Sequence, residues 1–371
     1  MSKEKPVTKN AASDAAPRAG EKPASGKRVT LKDLAAYLDL SPATISRALS
    51  GSPQADALAP ETRLRVERAA RKLNYRPNYL ARSLRGKRTF SVGVLVPEIS
   101  EGYTAGLMSG VEGLLSEQGY RYLMVSHRSK LSMGEEAINA LLDRGVEGFI
   151  LIAVQLERKL PVPAVVVSGA PPKVDDIDRV LLDHDLAAHL ALSHLKDLGH
   201  RHIAFFRGHS GNVDADDRWR AICDVAKKLD LPIRDKLVLQ LKGEAYGETF
   251  NSEGGYAEGY SYGEKLLESG EKFTALFAFN DISAIGAMRA FQDGGMNVPG
   301  DVSVVGFDDI QSAAFHRPSL TTVRQPLHIM GEAATRLLLH RLSNPDTNTK
   351  AERMVLKPRL VARDSTGPVK T

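Results

Sequence analysis

The sequence predicts a multi-domain chain: an all-α helix-turn-helix head joined to an α/β body of two lobes, each built on a parallel sheet covered by helices. Charge is the first observation. Residues 1–89 carry 19 Lys and Arg against 8 Asp and Glu, a net +11, whereas the rest of the 371 residues nets −6, for a total of +5. A small basic head on an acidic body suits a head that meets a polyanion while the body avoids it. The second observation is a pair of short helical patterns separated by a turn of about three residues. The third is the alternation, after residue 90, of near-continuous apolar runs with amphipathic segments, which marks parallel sheets buried on both faces. About 280 residues of that texture exceed one sheet core, so two lobes with a cleft between them are expected.

Composition excludes several classes. The chain is 42% apolar and contains one cysteine, Cys223, so no intrachain disulfide and no Cys-rich metal cluster can form, and a reducing cytosol is the expected compartment. No apolar run approaches the 18 residues or so of a membrane span, and residues 1–27 mix Lys, Ala, Ser and Pro without an apolar core of the kind an export signal needs. A chain neither membrane-spanning nor visibly exported is expected, with residues 1–27 as a disordered tail.

The head is expected over residues 28–76. Thr30 is a good N-cap with Asp33 three residues on, and Leu31, Leu34, Ala35 and Leu38 form one helical stripe. Asp39 and Leu40 make a tight turn; Ser41 is an N-cap followed by Pro42 at the first helical position, opening a second helix through Leu49. A third helix is expected from Glu61 to Asn74, with Leu64, Ala69 and Leu73 inward and five Arg and Lys outward. Residues 28–89 keep a net +8 once the tail is set aside. A hinge helix and linker is expected over 77–89, where Leu80, Ala81 and Leu84 make an apolar edge flanked by Arg82, Arg85, Lys87 and Arg88. It is too short to be stable alone, so binding would order it.

In the body, strands are expected at 91–96, 122–126, 148–153, 164–167, 180–182, 202–206, 275–279 and 302–306. Helices are expected at 103–118, 133–143, 186–197, 216–229, 254–268 and 282–292. Gly102, Gly106, Gly110 and Gly113 mark one face of a helix suited to close packing, for instance between subunits. Residues 243–263, rich in Gly and Tyr, read either as a pocket-lining aromatic loop or as a loop running into a helix.

The second helix carries the sharpest chemistry. With Ile45 and Leu49 toward the core, Ala43, Thr44, Ser46 and Arg47 point outward; small residues let a helix sit deep in a major groove, hydroxyls reach phosphates, and an arginine can grip a guanine edge. Enzyme signals are weak. Ser193 to Lys196 fits an S-x-x-K pattern inside an amphipathic helix without its companion motifs, and His194, His200 and His202 near a helix end follow no metal spacing. No catalytic residue, metal or cofactor is expected.

Several segments together resemble the LacI/GalR family of bacterial transcription regulators: VTLKDLAAYLDLSPATISRAL, APETRLRVERAARKLNYRPNYLARSLRG, VGVLVPEIS, DVSVVGFDDI and PSLTTVRQP. The resemblance spans roughly residues 28–365 in consistent order. It implies a helix-turn-helix DNA-binding head, a hinge helix and a periplasmic-binding-protein-like body over 90–366. Lobe 1 would cover about 90–187 and 320–343, and lobe 2 about 188–319 and 344–366. It implies a homodimer on a palindromic double-stranded DNA operator, most simply a repressor with a sugar or related metabolite as allosteric effector.

Residue by residue, the resemblance implies that Ser41, Thr44 and Ser46 meet phosphates and that Pro42, Ala43 and Arg47 read bases. Thr30 joins that DNA-facing surface; Tyr75 and Asn78 contact the backbone before the hinge; Ala81 and Leu84 face the minor groove, with Leu84 intercalating. In the body, Tyr103 would lie over the effector, and Arg218, Asn280 and Asp308 would bind it from the second lobe, a set able to hold vicinal hydroxyls. Ser168 stands where many relatives carry a carboxylate or amide, and Ala221 replaces a common glycine. About three extra residues lie between Gly51 and Pro60, and Ala59-Pro60 replaces a polar helix cap. From the residues alone, Asp308 and Asp309 could simply end a strand, and Arg218 could pair with Asp216 or Asp217. The rival readings are a pure solute-binding protein, which the basic head disfavours, and an α/β enzyme, which lacks a nucleophile–base constellation.

Overall fold

A computed structural model describes residues 29–49, 58–75, 88–99, 102–128, 131–169, 176–209, 213–242, 255–345 and 350–370. The chain divides into two compact units, one ending at Thr89 and one beginning at Phe90.

Among the described residues, the first unit holds three helices: α1 (Leu31–Leu38), α2 (Pro42–Ala48) and α3 (Pro60–Lys72). Thr30 and Asp33 close the expected capping box, with the Thr30 amide donating to Asp33 Oδ2 at 2.8 Å. Asp39 turns the chain in the left-handed region at φ 54, and Ser41 then accepts from the Thr44 amide to start α2. The core comprises Leu34, Ala35, Leu38, Ile45, Ala48, Val66, Ala69, Ala70 and Leu73. One expectation fails here: Leu64 is half exposed rather than inward. Starting at Pro60, α3 is phased so that Val66, Ala69, Ala70 and Leu73 form the i, i+3, i+4, i+7 stripe. Leu64, two positions before Val66, is rotated to the far side. Ala59 supplies no side-chain cap to α3, as its apolar side chain dictates. The expected tail and hinge helix lie outside the described residues except for Arg88 and Thr89.

The second unit consists of two six-stranded sheets. The first has the order β11-β5-β4-β3-β1-β2, from β1 (Ser91–Val96), β2 (Arg121–Ser126), β3 (Gly148–Ile152), β4 (Ala164–Val167), β5 (Asp178–Leu182) and β11 (Arg353–Leu356); every pairing in it is parallel. The second has the order β12-β10-β9-β8-β6-β7. Its strands are β6 (Ile203–Arg207), β7 (Val238–Gln240), β8 (Ala275–Phe277), β9 (Ser303–Asp308), β10 (Thr321–Arg324) and β12 (Arg359–Val361). It is parallel except for β12, which runs against β10.

Helices cover both faces of each sheet, which is why β1, β3 and β9 are apolar almost throughout. On the first sheet, α4 (Tyr103–Glu117) and α11 (Leu327–Ser343) bury one face and α5 (Leu131–Leu142) the other. On the second, α6 (His184–Asp197) and α7 (Val213–Lys228) cover one face. The other is covered by α8 (Gly255–Glu268) and α9 (Asp281–Asp293), with the short α10 (Gln311–Phe315) after β9.

The crossings between lobes differ from the expected division in two places. Thr321–Arg324 pairs with β9 and so belongs to the second sheet, whereas Arg353–Leu356 pairs with β5 in the first. The chain therefore crosses at 182–184, at 324–327 and at 356–359. Each assignment follows from the backbone pairing with β9 or β5 rather than from local pattern, since Thr321–Arg324 is mostly polar and Arg353–Leu356 is largely exposed.

The expected glycine face of α4 also packs differently. A Cβ on Gly110 would fall 2.0 Å from His328 O, and one on Gly331 2.0 Å from Leu107 O, so the stripe seats α4 on α11 within one chain rather than serving a second subunit. Of the Gly- and Tyr-rich segment, residues 255–268 are helical, and Gly259 lies against Ser283 of α9, where a Cβ would meet Ser283 O at 2.3 Å. Residues 243–254 lie outside the described residues.

Candidate functional site

In the head, the start of α2 presents Ser41, Pro42 and Ala43 to solvent, with Arg47 exposed one turn on and Thr44 and Ser46 half-buried beside them. Ile45 and Ala48 anchor the opposite side, and Leu49 is only partly buried. Ser41 Oγ caps the Thr44 amide at 3.1 Å and shares a 2.8 Å hydrogen bond with Thr44 Oγ1. Both hydroxyls are thus locally oriented at the positive end of the helix, where anions are favoured. Thr30 is exposed at the start of α1, and Tyr75 is partly buried against the head core. Asn78, Ala81 and Leu84 lie outside the described residues.

In the body, a cavity of about 70 Å³ sits between the lobes, lined from the first by Pro97, Glu98, Tyr103 and Ala153, and from the second by His209, Asp214, Arg218, Phe279, Asn280 and Asp308. Tyr103 opens α4, and its hydroxyl donates to Ser168 Oγ at 3.2 Å. Ser168 is buried at φ 56 just after β4, behind the tyrosine rather than in the lining. Burial raises the Tyr103 hydroxyl well above the ordinary tyrosine value, and the Asp214 charge raises it further.

Arg218 is buried on α7, with both terminal nitrogens engaged and its Nε left without a hydrogen-bond partner among the described residues. Its Nη2 donates to Asp214 Oδ2 at 3.0 Å and its Nη1 to Phe279 O at 2.7 Å, while its guanidinium lies 4.7 Å from the Phe279 ring centroid and 3.7 Å from that of Phe307. Its carboxylate partner is therefore Asp214, one helical turn earlier. Asp216 instead meets Arg207, and Asp217 meets Arg220. Asp214 also faces His184 Nε2 at 3.1 Å. Burial alone would raise the Asp214 carboxyl, but His184 and Arg218 together hold it well below the usual carboxylate range.

Asn280 lines the cavity while its Oδ1 caps α9 by accepting from the Ser283 amide at 2.9 Å. Asp308 ends β9 at φ 107, 8% exposed, and its Oδ1 accepts from Gln325 Nε2 at 2.6 Å. Burial pushes its carboxyl up to about 7, against the opposing pull of Arg218 and Gln325. Its neighbour Asp309 turns away to pair with Arg324 and Arg363. The reading in which these aspartates only end a strand thus describes Asp309, while Asp308 faces the cleft.

Sequence reasoning missed Glu98, His209, Asp214 and Gln325. Asp214 had one signal, its i, i+4 spacing to Arg218; the others are brought in by loops after strands and by the crossing at 324–327.

The histidines near the end of α6 are structural ties. His200 bonds Thr274 and Ser303 at 3.0 and 2.9 Å and Gly367 O at 3.0 Å, and His194 bonds Thr366 at 2.9 Å, so both hold the C-terminal segment; burial lowers both below the usual imidazole value. Lys196 of the S-x-x-K pattern donates to Leu229 O at 2.7 Å. Cys223 is half-buried on α7, and burial pushes its thiol up. Among the described residues no cluster of three or more His, Cys, Asp or Glu is placed to hold a metal ion, and no helix is long and apolar enough to cross a membrane.

A helix-turn-helix head and a two-lobed body with a polar cleft between its sheets define a DNA-binding regulator of the kind that carries a binding-protein domain. Comparison with known proteins agrees. Residues 30–78 match the family of bacterial regulatory proteins, lacI family, and residues 192–366 match the periplasmic binding protein-like domain. Catabolite control protein A of Priestia megaterium is 33% identical over 326 residues, 84% of this chain and 91% of that protein. The lac repressor dimer bound to operator and the anti-inducer ONPF superposes with a TM-score of 0.78 at 26% identity, over 92% of this chain and all of that one. A complex of the transcriptional regulator CelR with cellobiose gives 0.65 at 28% identity, over 91% of this chain and all of that one. The chain belongs to the lacI family of bacterial regulatory proteins, and it is a DNA-binding transcriptional regulator.

Proposed function

We propose that this chain is a cytoplasmic repressor that binds a palindromic operator as a homodimer and answers to a sugar or related small metabolite held in the interlobe cleft. The carrying observation is that the cleft is lined from both lobes, whose sheets are joined by three crossings. A ligand that touches both walls changes lobe closure, and hence the separation of two hinge segments in a dimer. Its leverage is its differential affinity for the two body states, typically about 1–3 kcal/mol.

Within this reading, Ser41, Thr44, Ser46, Tyr75 and Asn78 contact phosphates and sugars, with Thr30 at the rim; Pro42, Ala43 and Arg47 face base edges; Ala81 and Leu84 enter the minor groove. Tyr103, Arg218, Asn280 and Asp308 contact effector, and Ser168 orients Tyr103. Lac repressor and CelR support the reading through a structure on operator DNA and one with a disaccharide.

The test is selection of genomic fragments by the purified protein, then footprinting at a stated salt concentration with and without a small-molecule extract of cells. A protected palindrome whose occupancy changes with the extract is expected. Binding that is salt-sensitive and indifferent to sequence under both conditions would sink the proposal.

A further inference from the structure

The body holds a second and larger cavity, about 1170 Å³, beside the crossings at 324–327 and 356–359 and between the starts of α4, α10 and α11. It shares Asp308 with the interlobe cleft and no other lining residue. Cations gather where the crossings border it. Arg324 and Arg359 are direct partners in the antiparallel β10–β12 pair, and residues so paired share one face of a sheet with Cβ atoms ~5 Å apart. Both line the cavity, as does Lys357, two residues before Arg359. Like charges directly opposite each other across a strand pair are destabilising, so this arrangement calls for a counter-charge.

The described residues supply only part of it. The carboxylates in the lining are Asp308 and Asp309. Asp309 accepts from Arg324 Nε, but its Oδ1 is taken by Arg363 Nη2 at 2.6 Å. Asp308 Oδ1 accepts from Gln325 at 2.6 Å, and burial pushes its carboxyl up to about 7, so it carries a partial charge at neutral pH. Lys357 and Arg359 are exposed and take part in no hydrogen bond or ion pair among the described residues; Arg324 Nη1 and Nη2 have no acceptor there. The remaining titratable group of the lining, His328, shares a 3.0 Å hydrogen bond with Ser109 through Nδ1.

We infer that this cavity is a second ligand site, apart from the interlobe cleft, for a small multivalent oxyanion of the phosphate-bearing class, held by Arg324, Lys357 and Arg359. An oxyanion between the two arginines converts their repulsion into charge-assisted hydrogen bonds, for which the planar guanidinium fork is suited, and the Lys357 ammonium adds a point charge. The acidic body, net −6 over residues 90–371, repels a nucleic acid backbone as a whole, so a small anion is favoured over DNA here. The cavity is much larger than a bare phosphate and leaves room for the organic part of such a ligand beside Phe315 and Ile329, both exposed in the lining. Gln325 lines this cavity and bonds Asp308, which also lines the cleft, so an anion here sits one hydrogen bond from the cleft wall.

The experiment titrates the full chain, free of DNA, with sodium pyrophosphate at constant ionic strength, reading binding by calorimetry and stability by thermal melting. Saturable binding and a rise in melting temperature are expected, with sodium chloride at the same ionic strength giving neither. The double variant Lys357→Gln, Arg359→Gln should raise the half-saturating concentration at least tenfold and abolish the rise. Without anion it should melt no lower than the unaltered chain, because the opposed charges are gone. Arg359→Lys, which keeps the charge, should retain most of the affinity. The basic head is the same in all of these chains, so pyrophosphate bound equally by the double variant is bound elsewhere, and the inference falls. Stabilisation that chloride reproduces is screening and overturns it too. A double variant that alters the subunit number in sedimentation, with pyrophosphate affinity unchanged, would make this face a contact between copies instead.

Discussion

Asp308 sits at φ 107 and Asp309 at φ 60, a run of two non-glycine residues in a region that costs about 1–3 kcal/mol each. The surroundings impose that conformation. Arg324 and Arg363 grip Asp309, and the Ile310 amide donates to Asp281 Oδ2 at 2.8 Å. The corner aims one carboxylate into the cleft and the next out of it. With the Asp308 carboxyl pushed up to about 7, the folded chain holds a proton that the unfolded chain, near 3.9, has already lost. This group's contribution to stability therefore falls as pH rises from about 4 to about 7 and is level above. A hydroxyl donor favours the ionised form, so effector affinity should rise between about pH 6 and 8, with proton release on binding. Asp308→Asn should flatten that profile. Calorimetric titration in two buffers of different ionisation heat counts the proton; a flat profile in the unaltered protein would contradict the assignment. In the head, Arg47→Ala should cost about 1–3 kcal/mol on operator DNA and little on random DNA. Equal losses on both would place Arg47 on the phosphates.

Among the elements, the α4–α11 pair shows how spacing can be read correctly and its partner misjudged. A face of glycines at positions 102, 106 and 110 signals close approach, but only the fold shows what approaches: the Ile310 side chain at Gly102, the Leu327 side chain at Gly106 and the backbone of His328 and Glu332 at Gly110, all of the same chain. Gly110→Val would force that contact apart. A destabilisation of about 3 kcal/mol or more is expected, toward the severe end for overpacking, and urea unfolding followed by far-ultraviolet circular dichroism measures it. A methyl group on Gly113 would meet nothing within 4 Å among the described residues, so Gly113→Ala should stabilise by about 0.5–1 kcal/mol through helix propensity alone. A loss there would mean the exposed end of the stripe is packed against something in solution. Caps were legible for the opposite reason. Thr30 with Asp33 and Ser41 with Thr44 satisfy amides within one turn, so three or four consecutive residues contain the whole interaction.

At the scale of the whole molecule, the head and the body have opposite charge and separate cores, and in the proposed function the hinge segment with Leu84 joins the two. Leu84→Ala should reduce operator affinity and DNA bending together, since an intercalating wedge trades unstacking for a bent duplex. Circular-permutation gel mobility reads the bend; an unchanged bend with weakened affinity would make Leu84 a packing residue. In the body, the chain passes between the lobes in the crossings at 182–184, 324–327 and 356–359, and the lobe closure proposed above would be absorbed there. His184 stands at the first of them and touches Asp214, which holds Arg218 in the cleft. A chain of three side chains thus links that crossing to the interlobe cavity.

By itself the sequence determined the division into a basic helical head and an acidic α/β body, the positions of most helices and strands, and the capped second helix with its exposed Ser41, Pro42, Ala43 and Arg47. These are written in local spacing, where periodicity, caps and charge act over a turn or a few strand residues. The polar candidates Arg218, Asn280 and Asp308 came instead from the resemblance to the family. Tertiary structure alone decided which sheet claims Thr321–Arg324 and Arg353–Leu356, that Leu64 faces outward, that Glu98 lines the cleft, and that Gln325 bonds Asp308 there. Those facts depend on edge pairing, helix phase and loops that meet across hundreds of residues, and no local pattern encodes a contact whose partner is supplied by another lobe.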